Sequence, residues 1–412
     1  MCNILLNYCR YCNGVIASGD KNMEMKHRKI LIILLSAILL ATVSAESSFI
    51  GFAGVSLDVQ PEKDSVSEVF ANGVIAGQYS LNDTLSLKGN FQFGTGDIVS
   101  HGLFQETPSV FAIRELSASW NIFKEASVIT LSAVLGDQSS FGSDAFVRQH
   151  LGVRNFSSSL LTPLITPVSA GMNGFSGIGG SFVGDFGPKA VGVYVFYDRE
   201  KATENPQINA DVQYAFQPDN AVLDATFGMT VPFEQTTPSG EKVFVLIRQV
   251  KLRTGISALV NISDNLQMFF QSGISDIILP DFPPISLDHL YLFVEPRLSL
   301  PLCNLNISFF CLSDSTLRDL TFISQPLGCN LNVETLPFPM FRHTASTGIN
   351  IAACAGRNIL GASEQGTDVV IAPYLDYSLA TGTINTTITV HPLDYADVSK
   401  LLRISFSYKA QF

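Results

Sequence analysis

Ten ionisable side chains stand at alternating positions inside otherwise apolar stretches: Lys88, Asp211, Asp224, Lys251, Arg253, Glu295, Arg297, Asp376, Arg403 and Lys409. Groups of this kind could do acid–base chemistry, but only if a partner sat at a spacing that tuned one of them. No such spacing occurs. H-E-x-x-H, G-x-x-x-x-G-K, G-x-S-x-G and a calcium-loop pattern are all missing, and Cys9 and Cys12 form the one C-x-x-C. The glycine-rich stretch "GFSGIGGSFVG" (174–184) lacks phosphate-binding spacing and reads as tight packing or sheet curvature. Beyond residue 45 the histidines (His101, His150, His289, His343, His391) lie near loops or strand ends and form no spaced pair. An enzyme, a cofactor or a bound metal is therefore not expected. The chemistry left to the charged residues is electrostatic, toward one another or toward a small passing solute.

The elements that carry them are strands. "TLSLKGNFQF" (84–93), "INADVQYAF" (208–216) and "VKLRTGISALV" (250–260) alternate apolar and polar residues, so each has one apolar and one polar face. Seventeen segments between 48 and 412 read as strands, and the only helical pattern is a weak one within 143–161. Short polar turns (81–84, 121–125, 185–189, 217–220, 263–265, 301–304) alternate with longer connections (61–67, 96–109, 137–173, 200–207, 232–241, 277–288, 313–342). A transmembrane β-barrel sorts its loops by parity in this way, and a soluble sandwich has no reason to.

Composition agrees. Charged residues make up 15% of the chain, against about 25% in ordinary domains, while Phe (30) and Gly (31) are abundant. Residues 25–45 read as a signal peptide, with a basic start (Lys26 to Lys29), an apolar stretch from Ile30 to Leu40, and small residues at Val43 and Ala45. Residues 1–24 read as an over-extended start, and 46–412 as a single domain. Taking the five basic and two acidic residues of 1–45 from totals of 25 and 36 leaves 20 against 34, a net charge of −14. That acidity argues against a nucleic-acid partner.

The last segment, "LLRISFSYKAQF" (401–412), sets Ile404, Phe406, Tyr408 and Phe412 on one face and Arg403 and Lys409 on the other. Here the chain resembles bacterial outer-membrane β-barrel proteins of the porin-like kind, which typically end in a strand closed by a C-terminal aromatic residue. The resemblance implies an all-β, closed, antiparallel up-and-down transmembrane barrel in the bacterial outer membrane. It implies a terminal strand read by the barrel assembly machinery and paired with 47–59, an outer wall against lipid, and a homo-oligomer such as a trimer. An even strand number is required, and 14–16 is expected.

In such a barrel the ten ionisable residues line the interior. Opposed basic and acidic sectors would set a transverse field, or the same residues would form interior salt bridges. The function implied is an outer-membrane channel for passive or facilitated diffusion of small solutes through a mixed-charge lumen. The alternatives are a barrel acting in adhesion through its loops, and a soluble secreted β-rich binding protein. The connection 137–173, with Arg148, His150 and Arg154, either folds into the pore as a constriction or stays at the surface with a short helix. Four cysteines remain beyond residue 45, and the strand order predicts disulfides Cys303–Cys354 at the inner end and Cys311–Cys329 at the outer end.

Overall fold

The computed structural model describes residues 48–61, 67–101, 110–141, 144–161, 173–199, 206–236, 242–247, 249–279, 289–312, 323, 325–356 and 366–412. The signal peptide and the segment before it lie outside the described residues. Eighteen strands form one closed antiparallel sheet. The first nine are β1 (Ser48–Gln60), β2 (Glu68–Ser80), β3 (Leu85–Gly94), β4 (Val110–Lys124), β5 (Ser127–Phe141), β6 (Asn173–Asp185), β7 (Lys189–Arg199), β8 (Pro206–Phe216) and β9 (Ala221–Pro232). The rest are β10 (Val250–Ser263), β11 (Leu266–Leu279), β12 (Leu290–Ser299), β13 (Cys303–Cys311), β14 (Leu327–Thr335), β15 (His343–Ala355), β16 (Thr367–Leu379), β17 (Gly382–Val390) and β18 (Leu402–Gln411).

The closing seam is the pairing expected of the terminal strand. β1 runs antiparallel to β18 from Phe52↔Gln411 to Val59↔Ile404. Beyond that ladder, Gly51 and Phe412 exchange backbone hydrogen bonds of 2.7 and 3.0 Å, and the Phe49 and Phe412 rings stack at 5.4 Å. Every strand then has two neighbours, so no row of backbone donors and acceptors is left at an edge.

The two faces are the reverse of a water-soluble sheet. Along β9 ("AVLDATFGMTVP") Leu223, Phe227 and Met229 are exposed while Asp224, Thr226 and Thr230 are buried; Phe227 is 54% exposed and Asp224 1%. The same sorting exposes Trp120, Leu131, Ile178, Phe182, Val195, Val212, Ile256, Phe309 and Phe406 on the outer wall. Contiguous exposed apolar surface on this scale is stable only against a nonpolar solvent.

The turns at the end bearing Phe412 are short throughout, from the two residues between β17 and its predecessor to the seven between β14 and β15. The loop parity read from the sequence is thus real, but the expected count of 14–16 strands is corrected to eighteen. The missing strand is β14, "LGCNLNVET", which lies inside what reads as one connection, 313–342. Its asparagines and its flanking Pro326 and Pro337 hide a nine-residue alternation. The stretch 242–262 also divides: Lys242–Leu246 pairs with Glu234–Thr236 in a separate small hairpin, and the wall resumes at Val250.

Restoring β14 overturns the cysteine pairing. One more strand reverses the direction of β15, so Cys303 lies opposite Thr335 at one end of β14 while Cys354 lies opposite Gly328 at the other. Seven residues of strand, over 20 Å at about 3.3 Å each, separate the two levels, and a Cys303–Cys354 bond is ruled out. Cys311 and Cys329 are diagonal neighbours on β13 and β14, since Cys311 faces Leu327 and Phe309 faces Cys329. Diagonal Cα separations of about 7–8 Å exceed the usual disulfide range. Among the described residues no disulfide is formed.

Candidate functional site

All ten ionisable candidates fall on the inner face, because each shares its register with other inward residues. Most meet a partner of opposite charge or a polar neighbour close by. Lys88 on β3 contacts Glu115 on β4 at 2.7 Å, and Arg403 on β18 contacts Asp58 on β1 at 3.1 Å, across the closing seam. Asp376 accepts from the Asn385 amide at 2.8 Å. Asp224 accepts from Gln213 at 3.0 Å through both oxygens. Lys251 stands opposite Thr230 on the face shared with Arg253. Lys409 sets its ammonium 4.5 Å above the Phe52 ring. Lys88, Arg253, Arg297 and Arg403 are each paired with an acid on the same or a nearby strand.

One of these pairs depends on a glycine. The Arg253 fork grips Asp211 in a bidentate bond, 2.8 Å at Nε and 2.6 Å at Nη2, and donates through Nη1 to Thr230 at 2.5 Å. Asp211 is on β8 and Arg253 on β10, so the pair must cross β9. It crosses at Gly228, which is in register with both. A Cβ there would stand 1.9 Å from the Asp211 carboxylate and 2.5 Å from Arg253 Nε.

The segment 144–161, within the long β5–β6 connection, is drawn into the interior. Its helix α1 (Ala145–Leu151) falls inside the weak helical pattern, ending at Gly152 in the left-handed conformation (φ 69°). Phe146 rests over Gly192 of β7, where a Cβ would approach its ring to 3.0 Å. His150 packs on Phe146 at 4.8 Å and faces Asp185 at 3.9 Å; burial lowers its pKa and the Asp185 charge opposes that shift. Arg148 pairs with Asp144 at 3.2 Å, and Arg154 is exposed.

Beyond the helix, two inward residues of β12 seize the backbone. Glu295, wholly buried, accepts from Ser158 Oγ (2.6 Å), Ser159 N (3.0 Å), Ser159 Oγ (3.0 Å), Ser308 Oγ (2.5 Å) and Arg297 Nε (2.7 Å). Arg297 in turn donates to the carbonyls of Asn155 (2.6 Å) and Ser157 (2.5 Å) and lies 4.9 Å over Phe269. Phe156 meets Phe269 edge-on at 5.9 Å. Asn155 itself is at φ 61°, in the left-handed region.

Sequence reasoning missed the partners Asp58, Glu115, Ser158 and Ser159, and it missed the apolar bed beneath the segment. Tyr194, Phe196, Phe269, Tyr291, Phe293 and Phe310 point inward and are buried. A signal was present: "VYVFY" (193–197), Phe269-Phe270 and Phe309-Phe310 break the alternation, which means both faces of those strands are covered.

The closed antiparallel sheet of even strand number, apolar outside and polar within, defines a porin-like transmembrane β-barrel, an architecture of the channel type. No protein-family model and no curated protein matches the chain. Solved structures similar to it include OmpF of Salmonella typhi in complex with daunomycin, at 11% identity and TM-score 0.42, covering 89% of this chain and 97% of that one. A mutant porin of Rh. blastica gives 10% identity and TM-score 0.43, covering 89% and 100%. A loop L8 deletion mutant of OmpT, an outer membrane protein of Vibrio cholerae, gives 8% and 0.40, covering 89% and 99%. Similarities of this size leave the class resting on the chain's own closed sheet and inverted faces.

Proposed function

We propose that the protein is an outer-membrane channel through which small solutes diffuse, lined by residues of both charge signs. The observation that carries this reading is the infolded segment 144–161, clamped to β12 and packed along β7 and β8. A barrel of this strand number is too wide for its own side chains to fill. The segment occupies one side, and the inner faces of β1–β4 and β15–β18 keep a hydroxyl- and amide-rich surface (Gln78, Gln92, Ser117, Asn385, Thr387, Ser405) for the remainder. In this reading Arg148, His150 and Arg154 belong to the constriction, and the ten inward ionisable residues set the field along it. Export by residues 25–45 and folding by the barrel assembly machinery through β18 complete the proposal.

Folded protein inserted into planar bilayers is expected to give discrete conductance steps. A barrel that shows heat-modifiable migration on gels, and hence is folded, yet gives no steps would refute the channel.

A further inference from the structure

We propose that Asp368, His391 and Asp394 bind one divalent transition-metal ion of the zinc type, at the end of the barrel away from Phe412. The site is independent of the channel reading.

Two neighbouring strands and the turn after them bring the three residues together. Asp368 is the second residue of β16 and is buried, at 9% exposure. Ile371 pairs with Val390, so His391, the residue after β17, comes level with the first residues of β16. Asp394 ends the 3-10 turn Pro392–Asp394 that follows, and its N–H donates to the His391 carbonyl at 3.0 Å. One donor atom from each of the three lies within 4.8 Å of the other two, and His391 Nδ1 is 3.0 Å from Asp368 Oδ2. The connection 391–401 is itself held in place. The His391 N–H donates to the Leu401 carbonyl at 2.8 Å, and Gln60 of β1 donates through Nε2 to the Ser399 carbonyl at 2.7 Å.

An imidazole 3.0 Å from a carboxylate is an ordinary hydrogen-bonded pair, and it accounts for Asp368 and His391. It leaves Asp394 without an explanation. That residue brings a second carboxylate into the same space, where among the described residues it meets no lysine, arginine or side-chain hydrogen-bond donor. Two carboxylates this close repel one another, most of all where one of them is buried. A divalent cation between them turns the repulsion into attraction. The donor types set its class: imidazole suits zinc, nickel, copper and iron, whereas calcium and magnesium take oxygen ligands. Donors at about 2.0–2.2 Å from a tetrahedral zinc stand about 3.3–3.6 Å apart. Here the tightest pair named is 3.0 Å and none is wider than 4.8 Å, so side-chain adjustment suffices to admit the ion. Three protein ligands leave a fourth position to water.

The probe is the metal alone. Folded barrel in detergent, stripped with a chelator that is then removed, is titrated with Zn2+ by calorimetry and with Co2+ by visible absorption. The wild type is expected to take one ion per barrel at micromolar metal, with a cobalt spectrum that Zn2+ abolishes. His391→Ala and Asp394→Asn should each weaken binding about tenfold or more. His343→Ala, which removes a histidine at the opposite end of the barrel, should leave binding unchanged. Zn2+ should also slow amide exchange at His391 and Asp394 in the wild type. A barrel shown to be folded by heat-modifiable migration that binds no ion at micromolar metal overturns the site. So does binding that survives either His391→Ala or Asp394→Asn unweakened. None of these outcomes bears on conductance, so the site and the channel can fail separately.

Discussion

Replacing Glu295 by Ala should release the segment 144–161 from the wall without opening the barrel. Glu295 is the one acceptor for five donors, three of them on Ser158 and Ser159, and it is also the counter-charge for Arg297. Removing one partner of a buried pair leaves the other charge uncompensated and costs about 3–5 kcal/mol. Very little of that falls on the wall, because the backbone ladders from β11 through β13 are unaffected by the side chain. It falls on docking. The ratio of docked to undocked segment should drop by roughly two to four powers of ten. Glu295→Gln keeps the shape and some acceptance but loses the charge, a cost of about 1–3 kcal/mol. The readout is amide exchange at Ser159, whose N–H points at the carboxylate, compared with amides in β9 of the same folded barrel. Protection at Ser159 should collapse in Glu295→Ala and fall partway in Glu295→Gln, while β9 stays protected. Ser159 protection within about threefold of wild type in Glu295→Ala would show that packing of Phe146 and Phe156, and not the carboxylate, holds the segment.

Gly228→Ala should displace the Arg253–Asp211 fork and lower barrel stability by about 3–5 kcal/mol in denaturant titrations; because the clash is with that fork, adding Arg253→Met and Asp211→Leu should restore most of the loss. Phe227→Lys, at an exposed outer position, should cost about 2–4 kcal/mol when the barrel is folded into bilayers, whereas on a water-facing surface such a change stays within about 0.5 kcal/mol. His150 gives a pH dependence. Its docked pKa is lowered by burial, so between that value and the ordinary pKa of about 6.5 the undocked segment binds more protons and acidification favours release. Docking, followed by Ser159 exchange, should therefore weaken as pH falls below about 6.5 and level off under the docked pKa; His150→Gln should remove the dependence.

Much of this protein is written locally. Side-chain alternation has a period of two, so each strand declares which residues share a face, and the terminal strand sets Phe406 and Phe412 outward and Arg403 and Lys409 inward before any pairing is known. Loop lengths declare which ends of the strands meet. Other features required the assembled ring. β14 alternates over too few residues, and with too many asparagines, to stand out beside Pro326 and Pro337, and losing it inverted the predicted level of Cys354. Whether inward ions face acids or a passage depends on which strands are neighbours: Asp58 meets Arg403 only because residues 347 apart or thereabouts are brought together where the sheet closes. The docking of 144–161 is non-local in the same sense. Ser158 and Ser159 carry no mark of their partner, because Glu295 lies 137 residues further along the chain. Pattern along a strand follows from the geometry of one chain, and so the sequence determines the faces; contact across the interior follows from closure, and only the tertiary structure decides it.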